Sequence, residues 1–276
     1  MSAAPTLSEV LVDRPRGDAG RWAGVRRQVP YYLTVLRRTW RGSIFSYAIL
    51  PVIMLASFGL GLGSFVDDAS ALGGVPYLDF IAPGILATSA LMAAAGEGLY
   101  PVYAMFTWTK MAYAMSSTPL GAVDIVNGVI AYLTFRVASA TVALTVVLAL
   151  FGTLSSVGGA LLLVLTGTLV GAAHGAVFVA FAAWTRSDSA LTLMYRLGVI
   201  PTTLFSGAFF PIDQLPEAVQ VVAYVLPAWH GVELARMCST DALTPMALVH
   251  VAYLVVVGVV GWWWARRAFG RRLGSQ

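Results

Sequence analysis

The chain of 276 residues is 58% hydrophobic and only 11% charged, with a mean hydropathy of +0.79. Soluble domains carry roughly a quarter charged residues, so this composition excludes an ordinary water-soluble globule. A helical span uses about 20 residues, which leaves room for about six spans and tails but not for a soluble nucleotide-binding domain as well.

The net charge is +4. The arginines cluster at the ends of apolar segments, which fits membrane orientation rather than nucleic-acid binding. Cys238 is the only cysteine, so neither an intramolecular disulfide nor a thiolate metal cluster is expected. Lys110 is the only lysine and follows Thr109, whereas a Walker A loop needs glycine there.

Residues 1–25 hold Pro5, Pro15 and several arginines and read as a disordered tail. No apolar core of a secretory signal stands in residues 1–42. From 26 to 40, Val29, Tyr32, Leu33, Leu36 and Trp40 recur at helical spacing among Arg26, Arg37 and Arg38. That pattern predicts an amphipathic helix lying in the membrane interface; a plain cytosolic extension is the alternative.

Residues 44–66 carry no charge and predict span one. Asp67, Asp68 and Asp79 flank the loop that follows. Span two is expected over 80–104, interrupted by Glu97, and a polar stretch with Lys110, Ser116, Ser117 and Pro119 comes next. Span three, 125–151, contains Arg136. A Ser-Ser-Val-Gly-Gly turn opens span four, which ends near Trp184 and carries Gly167, Gly171 and Gly175 at four-residue spacing. Such a ridge admits a close helix, either within the chain or from a second copy. Gly59, Gly61 and Gly63 give a weaker version in span one. Span five is expected over 191–210 and span six over 246–265, followed by Arg266, Arg267, Arg271 and Arg272.

An even number of crossings puts the N-terminal arginines, Lys110, Arg186 and the C-terminal arginines on one side, while the opposite loops hold Arg236 alone. The positive-inside rule makes the first side cytoplasmic. The fold expected is therefore all-α and integral to the membrane. It has six transmembrane helices, both termini cytoplasmic, an N-terminal interfacial helix, and a basic tail at 267–276.

His174, His230 and His250 form no His-Glu-x-x-His pair, and His230 with Glu233 is a poor zinc site. No nucleophile elbow or aspartate-rich diphosphate motif is present. Glu97 and Arg136 are charges inside spans, offset axially by roughly 10 Å; they read as a polar gate or as a structural ion pair. Between spans five and six, Ser206, Gly207, Phe209, Phe210 and Pro211 are followed by Pro216, a short apolar run over 218–226, and Pro227, His230, Glu233 and Arg236. A run too short to span and bounded by prolines predicts a re-entrant or interfacial helix pair.

The order Pro201…Ser-Gly-x-x-Phe-Pro…Leu-Pro…Pro-x-x-His-x-x-Glu-x-x-Arg resembles the signature of ABC-2-type exporter permeases. It is most similar to the nodulation protein J-like branch, associated with lipo-oligosaccharide and drug export. Ala82-Pro83-Gly84 and Ser117-Thr118-Pro119-Leu120 match that branch as well, and the resemblance covers about residues 30 to 266. One departure is the first cytoplasmic loop, usually rich in arginine and glutamate in this branch; here Lys110 stands alone.

The resemblance implies a transmembrane domain over 26–266 that works as a half-transporter in a bacterial cytoplasmic membrane. Two copies would join two copies of a separate ATPase, which would hold ATP and magnesium. It also implies that the 106–120 segment is a coupling helix docking on the ATPase. Phe106, Trp108, Met111, Tyr113 and Met115 are read there as exposed apolar side chains, with Lys110 and Pro119 beside them. Spans one, two and five would line the path, and Ser206–Pro211 with 227–236 would form the outer gate. Apolar walls suit an amphipathic or lipid-linked cargo, or a hydrophobic drug. An ATPase-independent channel and a lipid-modifying membrane enzyme are the alternatives from other classes.

Overall fold

The computed structural model describes residues 23–44, 49–61 and 76–274, and every regular element among them is helical. In chain order these are α1 (Ala23–Ile44), α2 (Leu50–Ala56), α3 (Tyr77–Gly98), α4 (Tyr100–Thr107), α5 (Met111–Ser116), α6 (Ala122–Leu150), α7 (Val157–Trp184), α8 (Asp188–Leu193), α9 (Ile200–Leu204), α10 (Glu217–Val225), α11 (Pro227–Ser239) and α12 (Met246–Gly274). Among the described residues, four stretches are long and apolar enough to cross a membrane: Tyr77–Thr107, Ala122–Leu150, Val157–Trp184 and Met246–Gly274.

The other two expected spans are irregular among the described residues. A π-helical turn, Ser57–Gly61, follows α2, and another, Met194–Val199, separates α8 from α9. Pro51 and Pro201 stand in the first turns of α2 and α9, where proline is tolerated. Glycines at the π turns lower helix propensity. Arg196 lies exposed in the second π turn, a charge inside what reads as an apolar span. Residues 62–75, with Gly63, Asp67 and Asp68, lie outside the described residues.

The Tyr77–Thr107 stretch is not continuous. It breaks at Leu99, φ −89° and ψ −84°, two residues before Pro101. Proline in that position removes one ladder bond and crowds the preceding turn.

Helix α7 is the hub, packed against α3, α6, α11 and α12. Its glycine ridge is intramolecular. A methyl group added at Gly167 would lie 2.5 Å from Thr141, and at Gly171 and Gly175 it would collide with Val137 and Leu133. Three glycines four apart thus receive three side chains four apart on antiparallel α6. On another face, Gly258 and Gly261 of α12 approach Ala173 and Val177 of α7.

The helices at both ends of the described residues run past the boundaries expected for the tails. Helix α1 begins at Ala23 rather than residue 26, because Gly24 and Gln28 pack on the start of α6. The Gln28 amide donates to the carbonyl of Asp124 at 2.7 Å. The outward face of α1 mixes Arg26, Arg27, Arg37 and Arg38 with exposed Val29, Leu33 and Trp40. At the other end, 267–274 is the last two turns of α12, and its Phe269 is fully buried. Residues 1–22 lie outside the described residues.

Candidate functional site

The proline-rich segment between α9 and α12 folds into two helices packed as a hairpin. Pro216 precedes α10 and Pro227 opens α11, both at positions where proline costs no ladder bond. Gly231 of α11 meets Val170 of α7, while Cys238, seven residues on, meets Gly159. Since Gly159 and Val170 are separated by roughly 16 Å along α7, the turn between α10 and α11 lies deep and the far end of α11 returns to the start of α7. The expected helix pair is present, and its second arm is part of the bundle.

Arg236 ties this hairpin to its surroundings. Its guanidinium donates to the Gly207 carbonyl, to the Phe80 carbonyl at 3.4 Å and to Glu233 at 2.7 Å, and it lies 3.9 Å over the Phe80 ring. Gly207 has φ +79°, a left-handed value suited to glycine, so the chain can turn here and present its carbonyl to Arg236. Ser206 donates to Thr203 at 2.7 Å and accepts from the Ala208 amide. Ala208 lies so close to Gly84 of α3 that an added methyl would sit 2.8 Å from its backbone. Ser206, Gly207, Glu233 and Arg236 are therefore brought together, while His230 faces α12. Phe210 and Pro211 are half-buried beside them, and Pro216 is exposed.

His230 is committed to His250 of α12, and its ring stacks on Tyr253 at 3.9 Å. Tyr253 also donates to the Val225 carbonyl at 2.6 Å, holding the hairpin turn. Phe80, Ala208, Trp229, His250 and Tyr253 were not legible as site residues. Their only sequence signal is proximity to turns and aromatic bands.

Phe209 points elsewhere. It approaches Phe58 and lines a cavity of about 260 Å³ with Pro51, Met54, Leu86, Met92 and Leu144. Thr88, Thr141 and Thr203 also line it, but each hydroxyl donates to a carbonyl of its own helix at 2.8 Å. The wall presented to a ligand is mostly apolar, with Ser89 adding one further hydroxyl.

Glu97 and Arg136 meet despite their axial offset. Arg136 donates from Nε at 2.9 Å and from Nη2 at 2.5 Å to one Glu97 oxygen, and from Nη1 to Thr39 of α1 at 3.4 Å. Tyr132, beside Arg136, stacks on Tyr32 of α1 at 4.6 Å.

At the opposite end of the bundle, α4 and α5 form an elbow. Phe106 and Met115 are buried, not exposed as expected, and Met111 and Tyr113 are half-buried. The reason is tertiary: the end of α12 folds over the elbow, with Phe269 edge-on to Phe106 at 4.8 Å. The exposed part narrows to Trp108, 60% accessible, with Lys110 and the polar residues up to Pro119. Lys110 takes φ +56° to make the sharp turn into α5.

A family model described as ABC-2 type transporter matches residues 31–238. Nodulation protein J of Rhizobium leguminosarum bv. trifolii is 32% identical over 84% of this chain and 87% of its own length. The protein of the same name in Rhizobium leguminosarum bv. viciae is 31% identical over 88% and 95%. That of Sinorhizobium fredii is 28% identical over 92% and 99%. No solved structure gives a significant match.

Proposed function

The chain belongs to the ABC-2 type transporter family, and from that premise we propose that it is the permease subunit of an ATP-binding-cassette exporter in a bacterial cytoplasmic membrane. Two copies would assemble with two copies of a separate ATPase, which would hold ATP and magnesium. The irregular segments at 49–61 and 188–204 are read as spans one and five, giving six crossings with both termini cytoplasmic. The arginine-rich α1 would then lie in the cytoplasmic interface among lipid headgroups.

The observation that carries the reading is the family match over residues 31–238, which contains both the Arg236-tied hairpin and the elbow at opposite ends of one bundle. The hairpin is the proposed outer gate and the elbow the proposed ATPase seat. The cargo proposed is amphipathic or lipid-linked, such as a lipo-oligosaccharide, glycolipid or polysaccharide on a lipid. The cavity between α2, α3, α6 and α9 supports it, because the hydroxyls of Thr88, Thr141 and Thr203 are turned back to their own backbone and most of its wall suits hydrocarbon. The same wall favours hydrophobic drug efflux as the second reading. A channel or a lipid-modifying enzyme fits less well, since Glu233 is held by Arg236 and His230 by His250.

The test is capture of an ABC ATPase by this chain, using native membranes in which the chain is expressed. Trp108→Glu is expected to reach the membrane and lose the ATPase. Full capture by that variant overturns the elbow as the docking element.

A further inference from the structure

The four C-terminal arginines read as orientation charges, but they do not share one environment. Arg266 and Arg267 lie over the rings of Trp262 and Trp263, and Arg271 is exposed. Arg272 turns into the bundle. Its Nη1 donates to the carbonyls of Thr185 at 2.7 Å, Ala183 at 3.1 Å and Ala182 at 3.4 Å. Its Nη2 donates to Thr107 Oγ1 at 3.1 Å. The guanidinium also lies 4.6 Å over the Phe106 ring.

The chemistry of this placement is specific. The last carbonyls of a helix have no intrahelical donors and carry the negative end of its dipole, so a cation there is favoured. A planar guanidinium can serve those carbonyls from one nitrogen and reach Thr107, the last residue of α4, from another. One side chain of α12 thus fastens the end of α7 to the elbow. Tyr103 adds a second tie by donating to the Arg186 carbonyl at 3.2 Å.

We propose that Arg272 is the positioning residue for energy coupling: it locks the α4–α5 elbow to α7 and α12, so that movement imposed on the elbow is passed to those two helices. Helix α7 contacts the hairpin at Gly231, and α12 holds it through His250 and Tyr253. Both helices therefore run from the elbow to the hairpin. This inference rests on the elbow being the ATPase seat.

The test uses the complex with its ABC ATPase in lipid nanodiscs, in a Cys238→Ser background. Spin labels at Ser117→Cys and Ser187→Cys report the distance from the elbow to the end of α7. A separate label at Glu217→Cys reports the hairpin's response to ATP, magnesium and vanadate. The parent is expected to give one narrow distance and a hairpin response. Arg272→Gln is expected to broaden the distance and to keep the ATPase bound and hydrolysing. Its hairpin response should fall by roughly tenfold or more, the factor for losing a single one of its hydrogen bonds from a charged group. Arg272→Lys should restore part of it. A narrow distance or an intact response in Arg272→Gln overturns the proposal. If Arg272→Gln does not accumulate, Thr107→Val, which removes only the elbow's acceptor, is judged by the same two readouts. The docking reading fails separately, if Trp108→Glu keeps the ATPase.

Discussion

His230 and His250 face each other through their Nδ1 atoms at 2.8 Å, joining α11 to the first turns of α12. Two ring nitrogens at that distance hold one proton between them, so each histidine completes the other. Trp229 lies edge-on to both rings.

This mutual dependence sets the first prediction. His230→Leu or His250→Leu alone strands a buried nitrogen and should cost about 1–3 kcal/mol, whereas the double replacement should cost less than the sum. Cys238 is buried and is the only cysteine, so uptake of a thiol-reactive dye on heating in detergent reports unfolding. Strictly additive losses would show that the pair is a coincidence of packing.

The second prediction concerns the ridge. Gly171→Ala places a methyl against Val137 and should destabilise by about 1–3 kcal/mol, the usual cost of overpacking. Val137→Ala in the same chain should recover most of the loss, because the space removed on α6 is the space filled on α7. The same dye-monitored melt measures it. Unchanged stability in Gly171→Ala would mean that α6 and α7 are not in this register.

What could be read beforehand followed from local pattern. The glycine ridge shows itself through its four-residue spacing, and the hairpin through two prolines bounding a run too short to span. Whether the ridge served this chain or a second copy was open until Thr141, Val137 and Leu133 were seen to fill it. Burial that depends on distant partners was not legible. Phe106 looks like a loose loop aromatic until Phe269, from the other end of the chain, covers it. Arg272 looks like a charge for orientation until α12 carries it to the end of α7. The π turns at Ser57–Gly61 and Met194–Val199 were hidden because hydropathy averages over them.

The third prediction addresses sidedness. In a Cys238→Ser background, a cysteine at Glu217 should react with an impermeant maleimide in intact cells, and one at Lys110 only after the membrane is opened. Both positions are exposed. The expectation rests on the arginine asymmetry. Labelling of the Lys110 position in intact cells would reverse the assignment of gate and elbow.

The last prediction separates the two readings of Glu97 and Arg136. A gate would use the charges during transport, whereas a structural pair would only hold α3 against α6. The geometry favours the second. Both side chains are largely buried, the cavity wall on α3 runs over Leu86–Met92 and does not reach Glu97, and Arg136 is also bonded to Thr39 of α1. Breaking such a pair from one side costs about 3–5 kcal/mol, because a charge is left buried, while replacing both partners by apolar residues is often near neutral. Glu97→Leu or Arg136→Leu alone should therefore lower the amount of folded protein in the membrane sharply. The double variant should recover that amount and retain export, measured as cargo or drug released from cells carrying the ATPase. A double variant that accumulates normally but exports nothing would assign the charges to transport itself.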